Sequence, residues 1–111
     1  MIDGLDAPAQ CDIRALERSH LSPGDVATAL ENWRQQLRLP DHRVAETDPW
    51  GCPCCSAGYG RANLEIALRT LPRRTARRLR ALVQPLDEAF LARTFHDPHV
   101  PRDLPWWERR C

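Results

Sequence analysis

Residues 59–95 read YGRANLEIALRTLPRRTARRLRALVQPLDEAFLARTF, and this stretch decides the fold. From about Arg61 to Leu71, the residues Leu64, Ala67, Leu68 and Leu71 recur at helical spacing, with Glu65 four positions before Arg69. Pro72 ends that pattern. A second one runs from Arg73 to about Phe95, where Ala76, Leu79, Val83, Leu86 and Phe90 alternate by three and four. Pro85 falls inside it and is expected to kink or split the helix, because proline has no N–H to donate and its ring crowds the preceding turn.

Two further helices are legible on the N-terminal side. Ile13, Leu16 and His20 share a stripe from about Ala9 to His20, Asp6 and Pro8 suit a first turn, and His20 is expected to be a partly buried core histidine. Ser22 is placed to cap the next helix, Pro23 to occupy its first position, and Val26, Leu30, Trp33 and Leu37 to form its apolar face up to Pro40. Between Asp41 and Tyr59 periodicity disappears and Pro and Gly punctuate the chain. After Phe95 the chain is Pro-rich, and Trp106 and Trp107 are expected to lie across the core.

The fold expected is therefore mainly α: one helical domain over residues 1–111, a compact bundle of four or five short helices with a Cys-rich loop (residues 48–60) and an irregular C-terminal tail. Val, Ile and Thr are few and scattered, which argues against an extensive sheet. No window approaches the roughly 18 apolar residues of a membrane span, and Met1 to Gln10 has neither a basic flank nor an apolar run. No membrane association and a cytoplasmic location are expected.

All 16 basic residues are Arg, a bias that reads first as GC-rich codon usage. The net charge of +1 conceals a gradient. Acids outnumber Arg before residue 58, whereas between residues 61 and 80 Glu65 alone opposes the Arg excess. Arg69, Arg73, Arg74, Arg77, Arg78 and Arg80 would project from the end of one helix and the start of the next, a surface suited to a phosphate backbone. The alternative is a solvated helix face. The joint at Pro72 lacks the glycine of a helix-turn-helix, and none is read there.

Chemistry concentrates in Trp50-Gly-Cys52-Pro-Cys54-Cys55. Five cysteines is an odd number, and three of them lie within four positions, which suits reduced thiols better than a disulfide framework. Cys52 and Cys55 have the spacing with which a turn presents two thiolates to zinc. His96 and His99, also two residues apart, would complete the shell, with Cys54, Cys111, His42 and Cys11 as alternates. Such a zinc would clip the loop to the tail and contribute to folding.

Two other readings use the same cysteines. Cys52, Cys54 and Cys55 would serve a redox sensor or oxidoreductase if Arg61 lowered a thiol pKa at the helix N-terminus, although the flanking segments lack the strands of a thioredoxin-like protein. Alternatively the thiols are inert and the chain is a metal-free interaction module. Asp41-His42 and His96-Asp97-Pro98-His99 pair imidazole with carboxylate, but no nucleophile stands in register. A binding role is thus expected before a catalytic one: a non-enzymatic accessory or regulatory protein with a protein partner, or with nucleic acid along the Arg face. The tail Trp pair and its two Arg would either stack on bases or complete the core.

Overall fold

A computed structural model describes residues 2–39 and 59–110. Its elements are helices α1 (Ala7–Ser19), α2 (Asp25–Gln36), α3 (Tyr59–Thr70) and α4 (Arg73–Ala92), followed by a 3-10 turn, Trp106–Arg109. The protein is mainly α, as its sequence periodicity requires. Among the described residues no strand forms, and an isolated antiparallel bridge joins His96 to Arg110.

Helix α1 starts where its sequence says it should. The Asp6 carboxylate accepts the Ala9 N–H at 3.1 Å, and Pro8 occupies the first turn, where no intrahelical donor is needed. The Gln10 side chain bonds both backbone groups of Ile2, folding the N-terminal segment onto α1 and burying Ile2. The expected place of His20 is corrected: α1 ends at Ser19, so His20 is its exposed C-cap, with Nδ1 3.0 Å from Ser19 Oγ.

Helix α2 begins later than its sequence suggests. Gly24 adopts φ +82° at the cap position, and Asp25 becomes the first helical residue. The Ser22 N–H donates to the Asp25 carboxylate at 2.7 Å, so Ser22 closes the turn without its hydroxyl capping the helix. The acceptor for an open N–H of α2 comes from another helix: buried Glu17 of α1 accepts from Val26 N at 3.0 Å.

Helix α3 presses its N-terminus against α2. A Cβ at Gly60 would lie 2.5 Å from the Ala29 carbonyl oxygen, so only glycine admits this approach. Two residues, Leu71 and Pro72, then turn the chain into α4. Pro85 does not split α4. The carbonyl that lacks its donor belongs to Ala81, and both residues are exposed, so water reaches the gap.

The core unites the apolar faces of all four helices. Val26, Leu30, Trp33, Leu64, Leu79, Val83 and Phe90 are its largest fully buried side chains, each contributing roughly 1.5–3 kcal/mol if aliphatic or Phe. Trp33 and Phe90 meet at 4.8 Å between ring centroids, Phe90 meets Trp106 at 6.1 Å, and Trp106 meets Trp107 at 5.7 Å. The tail thus closes the bundle, with Trp107 buried. No helix among the described residues is long and apolar enough to cross a membrane.

Candidate functional site

Helix α4 carries its cations at the wrong end for its own stability. Arg73 and Arg74 occupy the first turn, no acidic residue accompanies them, and the last turn has no basic residue. The N-terminus of a helix is its positive pole, so each of these guanidinium groups adds charge where charge is already positive. A backbone rise of 1.5 Å per residue places Arg77 about 6 Å and Arg80 about 10 Å along the axis from Arg73. Arg73, Arg74, Arg77 and Arg78 line a shallow groove of about 490 Å³.

The six arginines of the expected face separate by their partners. Arg69, on α3, donates to Glu65 at 3.1 Å, the helical pair four residues apart expected from sequence. Arg78 and Arg74 both reach Asp6 Oδ2, at 2.6 and 3.7 Å. Arg73, Arg77 and Arg80 are exposed, and among the described residues no carboxylate lies within ion-pair distance of them. One side of α4 therefore offers three uncompensated cations beside two that share one carboxylate.

A second polar cluster went unread in the sequence. Arg61 is 2% exposed, and its Nε and Nη2 fork onto both oxygens of Asp87 at 2.8 and 3.0 Å. Its Nη1 donates to Glu65 at 3.1 Å, and its guanidinium lies 5.4 and 4.9 Å from the ring centroids of Trp106 and Trp107. Trp33 Nε1 donates to the same Asp87 oxygen at 3.0 Å. The charge expected to activate a thiol is thus committed to two carboxylates, and the tail tryptophans stack on an internal arginine. Asp87 did leave a signal, for it lies four positions after Val83 and three before Phe90, a charge on the apolar side of the helix.

Two more arginines hold helix ends. Arg93 donates to the carbonyls of Leu37 and Leu39, and Arg110 donates to the Leu91 and Thr94 carbonyls and the Thr94 hydroxyl. The Leu37 and Leu91 carbonyls are acceptors that helix geometry leaves open, and the Leu39 and Thr94 carbonyls lie just beyond the two helix ends.

Of the expected zinc ligands, Cys52, Cys55, Cys54, His42 and Cys111 lie outside the described residues. His96 and His99 are exposed on the segment after α4, the His99 N–H donating to Asp97 Oδ1 at 2.9 Å, while Cys11 is an exposed free thiol on α1. Among the described residues no three His, Cys, Asp or Glu side chains gather to hold a metal.

A cleft of about 440 Å³ between α1 and the start of α2 is lined by Ile13, Arg14, Glu17, Arg18 and Ala27, among others. Its carboxylate is Glu17, already engaged in capping α2. The chain matches no protein-family model, no curated protein and no solved structure.

Proposed function

We propose that this chain is a non-enzymatic helical accessory protein that holds the phosphate backbone of a nucleic acid against α4. The observation that carries the reading is the row Arg73, Arg77 and Arg80, three exposed guanidinium groups that run from the positive pole of α4 along its first two turns, without carboxylate partners among the described residues. Elsewhere Arg61, Arg69, Arg93 and Arg110 are engaged within the protein, while Arg14, Arg18, Arg38 and Arg102 are exposed on other segments. What sets α4 apart is that its exposed guanidinium groups recur on one side at spacings of four and three, a row that a polyanion can follow.

Binding of a labelled 20-base-pair duplex and a single strand of the same length, followed by fluorescence anisotropy at low salt, tests the reading. Wild type is expected to bind, and Arg73→Gln/Arg77→Gln/Arg80→Gln to lose most of that binding with its helical circular dichroism intact. No binding by wild type at low salt overturns it.

The cysteine pair enters the same proposal as a structural zinc site on Cys52 and Cys55, closed by His96 and His99. Supporting it, the residues flanking positions 40–58 are both anchored to the C-terminal part of the chain: Leu39 through Arg93, three residues before His96, and Arg61 through Trp106 and Trp107. Elemental analysis of protein purified without chelator is expected to give about one zinc per chain. Metal-free protein overturns the site, and one fast-reacting thiol in that protein would turn the assignment to redox exchange.

A further inference from the structure

Asp6 divides one carboxylate between two helices. Oδ1 accepts the Ala9 N–H and caps α1, while Oδ2 faces Arg78 and Arg74 on α4. Those two arginines also line the groove with Arg73 and Arg77. A carboxylate oxygen against guanidinium N–H groups is the chemistry of a bound phosphate oxygen, supplied here by the chain itself.

We propose that Asp6 is a built-in competitor for this groove, displaced when a nucleic-acid phosphate takes Arg74 and Arg78, so that binding at α4 loosens the first turn of α1. The inference rests on the reading of α4 as a phosphate-binding face, and it adds a regulatory contact to that face.

Three features make the contact displaceable. The side chains of Asp6, Arg78 and Arg74 are 35%, 42% and 73% exposed, and wet ion pairs of this kind hold weakly. A second tether, the Thr75 hydroxyl donating to Asp12 at 2.5 Å, keeps α1 on α4 when Asp6 lets go. The chain preceding Asp6 has its own anchor, because Ile2 is buried and bonded to Gln10. Release of Asp6 therefore moves a short segment without opening the core.

Asp6→Asn isolates the charge, since asparagine caps a helix as well as aspartate does but does not attract a guanidinium as an anion. At 50 mM salt this variant is expected to bind the labelled 20-base-pair duplex about 3- to 5-fold tighter than wild type, the range expected for freeing an exposed ion pair. Adding Arg74→Gln/Arg78→Gln to Asp6→Asn should remove that gain. In wild type, duplex should also speed amide exchange at Ala9, whose N–H the Asp6 carboxylate covers.

Each outcome decides. Tighter binding by Asp6→Asn than by wild type supports the competitor. Equal binding by wild type and Asp6→Asn overturns the competitor and leaves the phosphate-binding face standing. No binding by either overturns both.

Discussion

Arg61 and Asp87 show how a single buried pair organises this molecule. The guanidinium is almost fully removed from water, and three of its nitrogens are met by carboxylate oxygens while its face rests on two indoles. Removing one partner of such a pair leaves a buried charge, which costs far more than the pair contributes. Asp87→Ala should therefore destabilise the protein by roughly 3–5 kcal/mol, because it also strips the Trp33 indole of its acceptor. Chemical denaturation is the check, and a loss below about 1 kcal/mol would contradict this ion-pair assignment. Gly60→Ala should cost about 1–3 kcal/mol for a different reason, since its Cβ would meet a backbone carbonyl that has no rotamer to escape into. The charge of Asp87 on the apolar side of α4 was visible beforehand, but its partner was not. Local spacing exposes the Glu65–Arg69 pair, but the Arg61–Asp87 pair spans 26 positions and depends on how α3 and α4 meet.

The helices were readable because each is an amphipathic stripe with a breaker near its end, as with α3, which stops just before Pro72. What escaped were features supplied by a neighbour. The start of α2 is set by Gly24 and by Glu17 from α1, so the local Ser-Pro signal pointed two residues too early. The exposure of His20 follows from the end of α1 at Ser19, one residue before the stripe would bring it inward. Pro85 is tolerated because the unpaired Ala81 carbonyl faces water; Pro85→Ala should restore that bond and raise the melting temperature. If α4 holds phosphate, its charge sets stability against binding. Arg73→Glu reverses an unfavourable charge at the positive pole, and should stabilise the protein by about 0.5–1 kcal/mol while weakening duplex binding. Thermal melts and anisotropy on the same preparation read both effects.

For the molecule as a whole, the composition and the spacing of apolar residues foretold a small helical bundle closed by the tail tryptophans, and these are the core that forms. The face proposed to bind phosphate was legible only as a cluster of arginines. Which of them are neutralised depended on Asp6, some 70 positions away, and on Glu65 in the preceding helix. If Cys52 and Cys55 hold zinc, changing either to Ser should lower the melting temperature, and chelation should mimic the change; an unchanged melt in both would remove the metal from the folding of this chain. The phosphate-binding assignment of α4 faces its most direct test in the salt dependence of duplex affinity. Three phosphate contacts through Arg73, Arg77 and Arg80 contribute about −2.7 to the slope of log Kobs against log salt, so raising salt from 50 to 200 mM should weaken binding by roughly 40-fold or more. The Arg73→Gln/Arg77→Gln/Arg80→Gln variant should flatten that slope by about 2 to 3. A slope unchanged by the three substitutions would contradict the assignment.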